Sequence, residues 1–185
     1  WVTDGSAAGT RLVRDINPGP ASSLDDRGNQ VAAGDVMFFA ADDGASGQEL
    51  WVTDGTDEGT RLVRDIAPGS AGSIPLSFVL AGERCFFTAD DGVNGRELWV
   101  TDGTEEGTRL VRDIAAGPSA GSLSGFVAWG DRLFFAADDG VHGREPWVSD
   151  GTEAGTFLLA DVLSGADGSR PTWGCVFGER LFFAA

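Results

Sequence analysis

A chain-wide repeat constrains this sequence more than any other feature. Tryptophans recur at Trp1, Trp51, Trp99 and Trp147, spaced 50, 48 and 48 residues apart. The octet "ELWVTDGT" runs from Glu49 to Thr56 and again from Glu97 to Thr104, with a near copy, "EPWVSDGT", from Glu145 to Thr152. "TRLVRDI" begins unchanged at Thr10, Thr60 and Thr108, and "FFAADDG" or "FFTADDG" begins at Phe38, Phe86 and Phe134. A period of this length means one supersecondary unit per repeat, stacked on its neighbours because no unit can bury its apolar residues alone. The whole of 1–185 is therefore expected to form a single repeat domain. Its units run roughly 1–30 (a half unit), 31–77, 78–125, 126–172 and 173–185 (a second half unit).

Within a unit, four runs read as strands. In the third full unit they are "SGFVAWG", "DRLFFAADDG", "REPWVSDG" and "TFLLADV". Each is rich in Val, Leu, Phe or Trp and is bounded by Gly, Asp or Pro, which favour turns. No segment sustains a 3.6-residue apolar period, so the chain is expected to be all-β. Leu133 and Phe135 point to one face of a strand and Phe134 and Ala136 to the other, while Glu97 and Trp99 share a face opposite Leu98 and Val100. Sheets apolar on both faces must be covered on both.

Four-stranded sheets stacked radially are the pattern of a β-propeller, here of four units. The alternatives are part of a larger propeller or an open β repeat array. With strands lettered A to D, the chain starts inside strand C and finishes after strand B. The two half-blades are expected to complete one blade within the chain, to pair between chains as a ring or filament, or to belong to a longer propeller.

Composition narrows the function classes. The 29 acids and 13 bases give a net charge of −16, and every base is Arg. Such a chain repels phosphate backbones, which argues against nucleic-acid binding. No apolar run is long enough to be a transmembrane segment. Cys85 and Cys175 make no disulfide framework and are expected to be small buried hydrophobes.

The octet and the "DGT…GT" phrase resemble the bacterial ELWxxDGT-repeat proteins over essentially the whole chain. The resemblance implies a secreted or cell-surface repeat protein and supplies no catalytic residues. The last full unit departs from the pattern: Pro146 replaces Leu, Ser149 replaces Thr, and Phe157 and Ala160 replace two arginines. Pro146 is expected to leave its strand start bulged or unpaired.

Several residues are candidates for a site. The acid pairs Asp42 and Asp43, Asp90 and Asp91, and Asp138 and Asp139 suit Ca²⁺, a hard cation that selects clustered oxygens. The same pairs suit Asp-Gly turns bonded to their own backbone. No other cofactor has a motif. Trp129 and Trp173 recur in no other unit and are candidates for a ligand contact, whereas the periodic tryptophans are expected to pack between blades. Arg11, Arg14 and their copies are expected to form an Arg–Asp ladder with Asp15, Asp65 and Asp113. His142 stands alone in a glycine loop, and no nucleophile motif is present, so the chain is read as a non-enzyme. The expected role is a scaffold binding an extracellular protein or glycan, with self-association through the half-blades as the alternative.

Overall fold

The computed structural model describes residues 1–24 and 29–185 and contains no helix among them. Its first sheet is β1 (Gln30–Ala33), β2 (Val36–Asp42), β3 (Gln48–Thr53) and β4 (Arg61–Arg64). The second is β5 (Leu76–Ala81), β6 (Arg84–Asp90), β7 (Arg96–Thr101) and β8 (Arg109–Arg112). The third is β9 (Ser124–Trp129), β10 (Arg132–Asp138), β11 (Arg144–Ser149) and β12 (Phe157–Leu158). A hairpin of β13 (Thr172–Phe177) and β14 (Arg180–Ala184) follows. Strands within each sheet are neighbours in sequence order, and every ladder between them is antiparallel. Among the described residues no helix is long and apolar enough to cross a membrane.

The repeat in sequence is a repeat in register. Phe38 pairs with Val52 and Phe39 with Trp51; Phe86 with Val100 and Phe87 with Trp99; Phe134 with Val148 and Phe135 with Trp147. The first two strands of each unit meet at a tight turn whose glycine is left-handed, as at Gly82 (φ 61°), where a Cβ would be strained.

The core lies between sheets. Phe38, Leu50, Val52 and Val63 of the first sheet pack with Cys85, Phe87, Ala89 and Trp99 of the second. Phe86, Leu98, Val100 and Val111 of the second pack with Leu133, Phe135, Ala137 and Trp147 of the third. Each fully buried phenylalanine contributes about 1.5–3 kcal/mol. First strands of successive units lie side by side, β1 with β5, β5 with β9 and β9 with β13. The inter-unit packing expected of Trp51, Trp99 and Trp147 is therefore observed, all three being buried.

The half units differ. Val2 bridges Arg11, and Ile16 covers Phe39 and Trp51 of the first sheet. The ring of Phe183 on β14 lies 5.2 Å from that of Phe134. No ladder joins the two half units among the described residues: β14 is bonded to β13. Trp1 is consequently 82% exposed, and Phe182 is 55% exposed where its counterparts Phe38, Phe86 and Phe134 are buried.

Three expectations need correction. Cys175 is exposed, because the hairpin carries no third strand or further sheet over it; only Cys85 is buried. Pro146 does not bulge the strand, since it pairs with Ala136 in an unbroken β10–β11 ladder. The unpaired alternative is what is observed, on the β12 side, where β11–β12 has two pairs and lacks one matching Leu98–Arg112. The arginines bond to backbone carbonyls, as described next.

Candidate functional site

The octet begins with a buried carboxylate. Glu49, Glu97 and Glu145 have no exposed surface. Alternation along the strand turns each onto the face that carries the tryptophan, against the linker that follows its own sheet. Glu49 accepts the N–H groups of Ile66 (3.1 Å), Ala67 (3.0 Å) and Ser73 (2.9 Å) and the Ser73 hydroxyl (2.6 Å). Glu145 repeats the set with Val162, Leu163, Ser169 N–H and the Ser169 hydroxyl (2.6 Å). One side chain thus satisfies the backbone of a turn that no strand could reach.

The three copies ionise differently. Burial raises Glu49 above the ordinary carboxylate range, opposed by the Ser73 hydroxyl and the three amides. In the middle unit the serine position is Gly121, and burial pushes Glu97 up to about 7. Burial also acts upward on Glu145, yet its four hydrogen bonds prevail and lower it. Its linker is the most open, with Val162 and Leu163 exposed.

The rest of the octet closes a turn on itself. Asp54 Oδ1 accepts the Thr56 N–H (2.9 Å) and hydroxyl (2.6 Å), and Thr53 and Thr60 share a hydroxyl bond of 2.6 Å. Asp4, Asp102 and Asp150 make the same pair of bonds, to Ser6, Thr104 and Thr152. These bonds, the side-chain hydroxyl first, lower all four aspartates. A Cβ on Gly59 would collide with the Asp54 carboxylate, which fixes glycine there. Ser149 keeps the hydroxyl its bond to Thr156 needs (2.7 Å), which explains why Thr→Ser is tolerated at that position.

The fourth-strand arginines staple units together. Arg61 donates to Gly103 O (2.8 Å) and Arg64 to Thr108 O (2.6 Å) of the next unit; Arg109 and Arg112 do the same to Gly151 O and Thr156 O (both 2.7 Å). Arg11 and Arg14 reach Gly55 O and Thr60 O (both 2.9 Å). The expected Arg–Asp ladder is thus an arginine–carbonyl ladder: the turn of the next unit presents its carbonyls to the arginine, and no ion pair of these arginines with Asp15, Asp65 or Asp113 is found among the described residues. Among these arginines the Arg14–Asp57 pair, at 3.8 Å and exposed, is an ion pair of little energetic weight.

The acid pairs form a second self-bonded loop. Asp42, Asp90 and Asp138 accept from Gly44, Gly92 and Gly140 N–H. Asp43, Asp91 and Asp139 each accept two amides, those of residues 45 and 46, 93 and 94, and 141 and 142. His142 Nδ1 lies 2.8 Å from Asp139 Oδ2, which raises the histidine. No group of three or more His, Cys, Asp or Glu arranged to hold a metal is found among the described residues. Asp90 and Asp91 line a cleft of about 520 Å³ with Ala67, Pro68, Ile74 and Arg96.

Trp129 is half-buried, and its indole N–H donates to Glu179 O (3.0 Å) in the β13–β14 turn. Trp173 has its backbone in β13; its side chain lies outside the described residues. The glutamates escaped the sequence reading as site residues. Their signal was an acid on the tryptophan-bearing face of an otherwise apolar strand, 24 residues before a serine in two copies.

No family model matches the chain. No curated protein matches it either. Solved structures similar to it include two designed proteins. The computationally designed Ika8 protein is 17% identical with a TM-score of 0.45, over 85% of this chain and 42% of that one. The computationally designed Ika4 protein is 17% identical with a TM-score of 0.47, over 96% of this chain and 99% of that one. The chain thus spans less than half the length of the first and nearly all of the second.

Proposed function

We propose that this chain is a non-enzymatic repeat scaffold, a four-unit β-propeller that presents its loops to an extracellular protein or glycan. One observation carries the reading. In every complete copy the repeated polar groups are engaged internally: Glu with its own linker or turn, Asp-Gly-Thr with its own turn, and Arg with the neighbouring unit wherever an arginine is present. A catalytic group repeated in each unit would leave functional atoms facing solvent; these face the backbone. Secretion or surface display is proposed on the resemblance alone. The test is a binding screen of the purified chain against surface glycans and extracellular proteins, beside a hydrolase panel. Binding without turnover is expected, and reproducible turnover abolished by substitution of one chain residue would overturn the reading.

A second reading, assembly through the half units, is favoured by the exposure of Trp1, Phe177 and Phe182. Carried over from Phe38–Val52 and Phe39–Trp51, the pairing register would set Phe182 against Val2 and Phe183 against Trp1. Within one chain this completes the ring; between chains it builds an oligomer. The proposal commits to closure within one chain, because Trp1 and Leu12 on one half unit match Phe157 and Leu159 of the third, all four exposed.

A further inference from the structure

The middle unit is chemically unlike its neighbours at one buried point. Where Ser73 and Ser169 donate a hydroxyl to the octet glutamate, residue 121 is glycine, and Glu97 Oε2 has no hydrogen-bond partner. Asp113 Oδ1, on the following linker, is also buried without a partner, while its Oδ2 accepts from Gly117 (3.1 Å). Asp113 acts electrostatically on Glu97 and adds to the upward effect of burial. Other charged groups nearby have partners of their own. On β7, Arg96 donates to Ile74 O, and on β8, Arg112 donates to Thr156 O and lies over the Trp147 ring. Asp90 at the end of β6 and Asp138 at the end of β10 accept from their own loops. Residues 114–121 contain no titratable side chain.

We propose that Glu97 is a proton-holding latch: protonated, it keeps the linker 114–121 closed on β7, and loss of that proton releases the linker. A proton needs no added volume and turns one of two orphaned acceptors into a donor, whereas a hydrated cation requires space that the fully buried Glu97 does not have. Ionisation leaves a buried carboxylate in the field of Asp113 with backbone amides such as Ala115 but without the serine hydroxyl that its two counterparts have. The effect reaches the next unit, because Gly121 O accepts the Asp138 N–H (2.8 Å), which anchors the loop carrying Asp139 and His142.

The sign follows from the direction of the shift. Stabilisation by a raised carboxyl is complete below its ordinary value of 4.5, falls as pH rises, and is gone once pH passes the folded value of about 7. Amide exchange of peptide 114–122, corrected for intrinsic rate, should lose roughly fortyfold of protection between about pH 5 and about pH 7. Peptide 162–169, under the lowered Glu145, is the internal control and should not lose protection over that range. Gly121→Ser restores the missing hydroxyl and should flatten the profile; the atoms nearest a Cβ there are Leu123 Cδ1 (2.9 Å) and the two Glu97 oxygens (3.0 and 3.1 Å), side-chain atoms that must give by a few tenths of an ångström. Glu97→Gln places an amide donor at the orphan oxygen and should flatten it without relying on Gly121→Ser folding. A flat wild-type profile, an equal loss in the control peptide, or an unchanged loss in Glu97→Gln would each overturn the proposal.

Discussion

Removal of the Glu49 carboxylate should be the most damaging single change in the first complete unit. Glu49→Ala strands four donors: the amides of Ile66, Ala67 and Ser73 and the Ser73 hydroxyl. Each buried unsatisfied donor costs about 1–3 kcal/mol, and relaxation of the linker with entry of water takes the sum towards its lower end, about 4 kcal/mol. A domain of this size has a total stability of about 5–15 kcal/mol, so the variant should be close to unfolded. Glu49→Gln keeps one oxygen for two donors but turns an NH₂ towards the others, and should cost about 1–2 kcal/mol. Urea unfolding at constant pH, followed by tryptophan fluorescence and far-ultraviolet circular dichroism, gives both values. A loss below about 1 kcal/mol for Glu49→Ala, with unchanged slope, would refute the reasoning that this carboxylate organises the linker.

Other outcomes follow from the same geometry. Arg64→Ala removes the bond to Thr108 O and should cost about 1 kcal/mol by the same unfolding assay, while neutralising the exposed Asp57 near Arg14 should change stability by less than about 0.5 kcal/mol. Chelation with EDTA should leave the melting temperature unchanged, because the acid pairs are engaged with their own loop amides; a fall on chelation, reversed by Ca²⁺, would restore the metal reading. Acid should unfold the protein by a separate limb below about pH 4. Asp43, Asp91, Asp102 and Asp139 are held below their ordinary 3.8, so their stabilisation is present above that value and is lost as pH falls through their folded values. A pH titration of circular dichroism from neutral to strongly acidic solution checks this, and persistence of the fold through strong acid would contradict it.

Strands and stacking were legible because they depend on side-chain pattern alone. "LFFAA" is apolar at every position, so both faces must be covered, and β10 is buried along its apolar stretch. The self-bonded turn offered for the acid pairs was legible for a related reason, since each Asp acts on amides within three residues of itself. The glutamate was not legible as an anchor: its partners lie 17 to 24 residues away, in a linker whose path the sequence does not specify. The arginine partners were missed because a backbone carbonyl carries no side-chain signature. Cys175 was misplaced because apolar sequence neighbours suggest burial, whereas the two-stranded hairpin that carries it has no further sheet to cover it.

Closure of the four repeat units into one ring within a single chain, as proposed above, can be tested by cross-linking. In a background with Cys175→Ser, the double substitution Thr3→Cys and Leu181→Cys places a thiol pair in the register of Thr53 with Met37. Closure predicts a disulfide-linked species with the mass of one chain, formed under mild oxidation and independent of protein concentration. Cross-linked dimers or larger species whose yield rises with concentration would contradict closure and transfer the half units to assembly between chains.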